Sequence, residues 1–210
     1  MPEFPEDLFV EAFGKLVAID QAWIPEEEGS ALYIRPTMIA TDEFIGVKPS
    51  QSYKFFIFTG PVGPYYPKPV RLWAETEYIR AAQGGTGFAK AAGNYAGALY
   101  PAKLAQDRGF DQLLWLDAKE FKYIQESGTM NVFFVINGVT ITPPLTGGTI
   151  LDGVTRDCIL EILRSEGKPV AEHAISIEEV VQGPQGRHPP GSIRCRHRCR
   201  RFARCRNWLS

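Results

Sequence analysis

The sequence predicts an α/β (α+β) fold on a mixed, partly antiparallel sheet, and three observations carry that prediction. Runs rich in β-branched and aromatic residues recur at 31–40, 53–59 and 132–142. Stretches with helical spacing of apolar residues lie between and around them, at 5–20, 94–108 and from 154 onward. The two kinds of element alternate without a strict strand–helix–strand beat, which argues against a purely parallel sheet. A length of 210 residues fits one large domain or one and a half small ones, and 44% hydrophobic and 12% aromatic residues can bury a substantial core.

In order, residues 5–20 place Leu8, Phe9, Ala12, Leu16 and Val17 on one helical face, with Pro5 suited to the first turn. An acidic loop at 25–30 leads to ALYIRPTMIA (31–40), a strand in which Tyr33 and Arg35 share a face because side chains two apart point the same way. An arginine in so apolar a strand is either exposed at an edge or paired with an anion. YKFFIFT (53–59) is a second strand, followed by the turn-rich GPVGPYYPKP, and 71–74 a third. A helix over 94–108 stops at Gly109, QLLWL (112–116) is a short buried strand, and Asn137-Gly138 marks a hairpin between 132–138 and 139–142. A Gly-Gly loop opens a helix near Val154, and 174–181 ends the globular part. There is no internal repeat.

The net charge of −1 hides a split. Residues 183–210 carry eight arginines and no acid, leaving 15 basic against 24 acidic side chains in the body, about −9 by formal counting. Cys195, Cys199 and Cys205 also fall in this tail, and only Cys158 outside it. Their spacing, with His197, fits no standard zinc site, so no metal is expected. An arginine run without a folded scaffold is also a weak nucleic-acid signal, and no nucleic-acid partner is expected. No stretch is apolar and long enough to span a bilayer, and MPEFPEDLFV lacks the basic start of a signal peptide. The expected compartment is the cytoplasm.

The chemistry centres on GGTGFAKAAGNYAGALY (84–100) and Lys90 within it. A phosphate loop would need GxxxxGK followed by Ser or Thr, and a dinucleotide site GxGxxG after a strand; neither is present. The remaining combination is Lys90, Tyr95, Glu126 and the helix start at Gly153-Val154-Thr155. A lysine kept neutral by desolvation can form a Schiff base with a carbonyl. Pyridoxal phosphate chemistry adds an acidic partner for the ring nitrogen and an anion site, for which a helix N-terminus with a threonine hydroxyl is suited.

Four stretches, SALYIRP, GGTGFAKAAGNYAGAL, LLWLDAKEFKYIQESGTMN and TPPLTGGTILDGVTR, in this order, resemble the branched-chain amino acid aminotransferases, class IV (fold type IV) pyridoxal phosphate enzymes. The resemblance runs from about residue 5 to about 182. It implies Lys90 as the Schiff-base lysine and proton shuttle, Tyr95 on the cofactor's phenolic oxygen, Glu126 on the pyridine nitrogen, and Val154 and Thr155 on the phosphate. It further implies Tyr33, Arg35 and Tyr65 as substrate-binding residues, which turns the edge reading of Arg35 towards an active-site one. The implied reaction moves the amino group of leucine, isoleucine or valine to 2-oxoglutarate, in a homodimer or larger homo-oligomer. D-amino acid aminotransferase and aminodeoxychorismate lyase are the related alternatives, against which SALYIRP and GVTR argue.

The same resemblance implies a domain layout: 1–52 as a remnant of a small N-terminal domain, 53–182 as an incomplete cofactor-binding domain, and 183–210 as a disordered, out-of-frame tail. About a hundred further residues would precede this chain in the family, one arginine among them touching the cofactor phosphate. A one-nucleotide shift of the codons for 183–203 permits GRKAGTLREAFGAGTAAVVSP, which the family would have there. A truncated, non-catalytic fragment of the enzyme is therefore a further alternative.

Overall fold

The computed structural model describes residues 1–64, 66, 69–182 and the backbone of 193–194. These fall into two compact units, Met1–Pro67 and Lys68–Ser210.

The first unit is a helix on a two-stranded ribbon. Helix α1 (Glu6–Asp20) starts after Pro5, whose carbonyl accepts the Phe9 N–H at 3.0 Å. Glu6 and Asp7 place negative charge in its first turn, where the helix dipole favours it. A single 3-10 turn, Gln21–Trp23, follows. Strands β1 (Ala31–Ala40) and β2 (Tyr53–Val62) pair antiparallel over their whole length, from Ala31 opposite Val62 to Ala40 opposite Tyr53. Phe55 meets Phe4 and Phe9 at centroid distances of 4.0 and 6.1 Å, and Thr59 donates to the Asp20 carboxylate. Phe9 of the apolar stripe foreseen on 5–20 thus packs on β2, whereas Leu8 of the same stripe is exposed. Strand β2 pairs with β1 throughout and lies with it in the first unit. The β1–β2 connection is held by Asp42. Its carboxylate accepts the N–H groups of Gln51 (3.0 Å) and Ser52 (2.8 Å) and the Ser52 hydroxyl (2.7 Å), which keep it well below the usual carboxylate range.

The second unit is built on two mixed sheets. In the first, β3 (Arg71–Glu75) and β4 (Gln112–Leu116) run parallel, β5 (Ile124–Ser127) lies antiparallel to β4, and the two-residue β9 (Ile193–Arg194) lies antiparallel to β3. Parallel neighbours need a crossover, and α2 (Ala92–Ala96) with α3 (Leu99–Asp107) supplies it. The sequence predicts one helix here; Gly97 and Ala98 divide it in two. Gly109 ends α3 with φ 84°: its N–H bonds Gln106 O and the Phe110 N–H bonds Ala105 O, a Schellman closure. The second sheet holds the expected hairpin, β6 (Phe134–Ile136) and β7 (Val139–Thr142), with Asn137 and Gly138 both at positive φ. Parallel to β7 runs β8 (Val170–Glu172), after helix α4 (Val154–Ser165); a short α5 (Ile177–Gln182) follows.

Strand β4 is buried on both faces, which is why QLLWL is an unbroken apolar run. Leu114 and Leu116 join Leu72, Ile124, Val132, Phe134, Ile141 and Ile175 in one cluster. Leu113 and Trp115 point the other way, to Ala105 and the half-buried Trp73 and Phe110.

Candidate active site

Glu126 reaches its place through a bulge. Leu114 pairs with Ser127 and Leu116 with Ile124, so β5 spends one more residue than β4 between the two pairs. An extra residue re-aims the side chains around it. Upstream, the Asp117 carboxylate accepts the N–H groups of Lys119, Glu120, Lys122 and Tyr123 at 2.8–3.1 Å and fixes the turn into β5.

Glu126 is 2% exposed. Its Oε1 accepts the Leu151 N–H at 2.8 Å and a long contact from Asn131 Nδ2 at 3.5 Å. Its Oε2 lies 3.2 Å from Arg80 Nε and accepts no hydrogen bond among the described residues. Burial pushes the Glu126 carboxyl up; Arg80, the Leu151 N–H and the charge of Lys90 oppose that shift without cancelling it. The structure therefore brings Lys90 within electrostatic range of Glu126.

Lys90 ends the glycine-rich connector. At Gly87 a β-carbon would lie 2.5 Å from Ala81 Cβ and 2.7 Å from Thr149 O, so only glycine fits the close approach of the two loops. Asn94, four residues after the lysine, fastens the connector that precedes it, donating to Thr86 O (2.8 Å) and Ala89 O (2.9 Å) and accepting from the Thr86 hydroxyl. Lys90 Nζ then stands 4.9 Å from the centroid of the Tyr95 ring, and the lysine is solvent-exposed.

Helix α4 begins at the third corner. Gly153 caps it with no side-chain bond, and the first intrahelical bond is from the Asp157 N–H to Gly153 O. The N–H groups of Val154 and Thr155 thus have no intrahelical partner, and both residues are exposed. The segment before the cap is tied to Glu126 through Leu151, and Asn131 Nδ2 also holds Leu151 O at 2.8 Å. Among the described residues, no cluster of His, Cys, Asp and Glu could hold a metal, and no helix is long and apolar enough to cross a membrane.

In the first unit, Tyr33 and Arg35 do share a face of β1, with the guanidinium carbon of Arg35 5.0 Å from the Tyr33 ring centroid. Arg35 pairs across the ribbon with Phe58, so both lie opposite the face that carries Phe55. Tyr65, the cysteines of the tail and its out-of-frame reading lie outside the described residues. Sequence reasoning missed Arg80, Asn131 and Thr149. Asn131 stood inside a motif already singled out; a lone Arg80 in TEYIRAAQGG carried no periodic signal.

A buried carboxylate with one oxygen that accepts no hydrogen bond among the described residues, a lysine on a glycine connector and an uncapped helix start suit a cofactor with a basic ring nitrogen, an aldehyde and a phosphate. The comparisons agree. Residues 16–183 match the family described as amino-transferase class IV, and the chain belongs to that family. It is 53% identical over 184 residues to branched-chain-amino-acid transaminase 1 of Bacillus subtilis, covering 86% of this chain and 51% of the relative. To the branched-chain-amino-acid aminotransferase of Mycolicibacterium smegmatis it is 42% identical, covering 85% of this chain and 50% of the relative. Among solved structures, the branched-chain aminotransferase of Thermoproteus uzoniensis with norvaline superposes with a TM-score of 0.75 at 28% identity, over 86% of this chain and 58% of that one. A Brucella abortus aminotransferase bound to PLP gives 0.72 at 25%, over 87% of this chain and 63% of that one. The chain spans about half the length of the curated relatives it matches.

Proposed function

We propose that the chain works as a branched-chain amino acid aminotransferase that uses pyridoxal phosphate to move the amino group of leucine, isoleucine or valine to 2-oxoglutarate. The observation that carries the cofactor is Glu126, a buried carboxylate whose Oε2 accepts no hydrogen bond among the described residues. The substrate class rests on the names of the relatives. When bound, pyridoxal phosphate supplies an aldehyde that condenses with amines and a ring that withdraws electrons.

The residues divide the work by position. Glu126 would hold the proton on the ring nitrogen, and Tyr95 would donate to the phenolic oxygen. Val154 and Thr155 would bind the phosphate with backbone N–H groups and a hydroxyl, helped by the positive end of α4. Lys90 Nζ would carry the cofactor and then take and return the proton of the substrate Cα. Tyr33, Arg35 and Tyr65 are assigned to the substrate, Arg35 to a carboxylate. We place the reaction in the cytoplasm and expect a homodimer or larger homo-oligomer.

The test is to incubate the chain with pyridoxal phosphate, reduce with borohydride and map the modified lysine by mass. A stoichiometric adduct at Lys90, followed by 2-oxoglutarate-dependent consumption of leucine, is expected. Labelling scattered over several lysines refutes the site. An adduct without turnover identifies a cofactor-binding but non-catalytic chain.

A further inference from the structure

Arg80 is a buried cation that the roles above leave unused. Its side chain is 6% exposed. Its Nη2 donates to two carbonyls, Gly87 O at 3.0 Å and Thr149 O. Gly87 lies in the connector that ends at Lys90, and Thr149 in the loop that runs to α4. Thr149 in turn donates its hydroxyl to Gln125, the neighbour of Glu126. One guanidinium therefore joins all three corners of the site.

Its orientation toward Glu126 is unusual for such a pair. An arginine and a carboxylate ordinarily meet fork to fork, with two parallel hydrogen bonds that occupy both oxygens. Here a single terminal nitrogen, Nη2, serves both loop carbonyls, and Nε stands 3.2 Å from Oε2 without forming a hydrogen bond. Arg80 lends Glu126 its charge and leaves Oε2 free to accept.

We infer that Arg80 is a positioning residue for the cofactor ring: it keeps Glu126 ionised while leaving Oε2 available to the ring nitrogen, and it fixes the Lys90 connector and the α4 loop against that carboxylate. This rests on the proposed cofactor. Burial favours the neutral form of Glu126, and Arg80 is foremost among the groups that oppose it, ahead of Leu151 N–H and Lys90. Without Arg80 the carboxyl stays protonated to higher pH, and a protonated carboxyl cannot hold a ring proton. A lysine would restore a point charge but has no planar guanidinium to set one nitrogen on the two carbonyls and another beside Oε2.

Two measurements test the inference on the full chain. The first follows the carboxyl carbon of Glu126 by NMR without cofactor, with the resonance assigned by its loss in Glu126→Gln. In Arg80→Gln it is expected to titrate at higher pH than in the wild type, and in Arg80→Lys to move less. The second measures pyridoxal phosphate affinity, expected to fall about tenfold in Arg80→Gln and further at about pH 6 than at about pH 8, because more Glu126 is protonated at the lower pH. A purely structural role would weaken binding equally at both pH values. An unshifted Glu126 titration overturns the inference even if the cofactor binds. A shifted titration in a chain that forms no Lys90 adduct counts against the proposed cofactor, and with it against a role in placing the ring. Should Arg80→Gln not fold, Arg80→Lys decides: wild-type cofactor affinity in that variant overturns the inference.

Discussion

Replacing Glu172 by glutamine should destabilise the second unit in a way that depends on pH. Arg156, in the third position of α4, is 3% exposed; its Nη2 donates to Pro143 O at 3.1 Å and to Glu172 Oε2 at 2.6 Å. Glu172 on β8 also accepts from Arg164 at 2.7 Å. Breaking a fully buried ion pair costs roughly 3–5 kcal/mol, because the surviving charge is stranded. Glu172 is 32% exposed at its side chain, so water reaches that end and the amide oxygen still accepts; about 2 kcal/mol is the expected loss. The Arg156 hydrogen bond heads the causes that hold the Glu172 carboxyl below its ordinary 4.5, outweighing the effect of burial, with Arg164 adding to it. A group with a depressed folded pKa stabilises above its unfolded value, and that stability disappears as pH falls through the folded one. The cost of Glu172→Gln is therefore full near neutrality and shrinks in acid. Urea unfolding should show a midpoint about 1 M lower at about pH 7, with the gap closing in acid. In an Arg156→Met background the same change should cost under about 1 kcal/mol, since only the exposed Arg164 pair is then lost. An equal cost at both pH values, or an equal cost in both backgrounds, refutes this account.

Three other changes test other parts of the structure. Leu114→Ala empties a fully buried position between β3 and β5 and should cost about 2–5 kcal/mol by thermal or urea unfolding. For Asp117, burial raises the carboxyl, but four backbone N–H donors outweigh it and bring the pKa down to about 2 from 3.8. Its stabilisation is thus present above 3.8 and lost as pH falls through about 2. Asp117→Asn should cost about 1–2 kcal/mol near neutrality and flatten the acid limb of the stability profile. Gly153→Ala would place Cβ 2.2 Å from Asn131 Oδ1, on the side chain that braces Leu151 and Glu126. Pyridoxal phosphate affinity should fall about tenfold, roughly the loss of one charge-assisted hydrogen bond, read by absorbance titration.

Local rules made part of this fold legible in the sequence. Asn137-Gly138 named its hairpin because both residues accept positive φ, and QLLWL named a strand buried on two faces because nothing polar interrupts it. Gly109 marked the end of α3 for the same backbone reason. The single helix expected over 94–108 failed at Gly97, where small residues left the break unsignalled. Three residues with no alternation could not announce β8, which exists because β7 offers it a parallel edge. In the candidate site, Lys90, Tyr95, Glu126 and the start of α4 were singled out through motifs and family resemblance, and their roles are proposals. Arg80 was not, because its meaning lies in Gly87, Thr149 and Glu126, and two of those are far away in the chain.

The distances along the chain have a further consequence, for the order in which the site can form. Hairpin β6–β7 closes over a two-residue turn and is the kind of contact that forms in microseconds. Pairing Leu72 with Gln112 requires a 40-residue loop to close, and the Leu151–Glu126 bond spans 25 residues. Closing long loops costs entropy before any contact offsets it, so such pairings come late. Glu126 acquires its partners only once β3, β4, β5 and the loop before α4 are all in place. A ligand that requires that carboxylate binds the finished unit and not its precursors. It therefore draws the population towards the folded state by mass action, more strongly as its concentration exceeds its dissociation constant. For this chain, the concentration of the proposed cofactor would therefore set part of the apparent stability of the second unit.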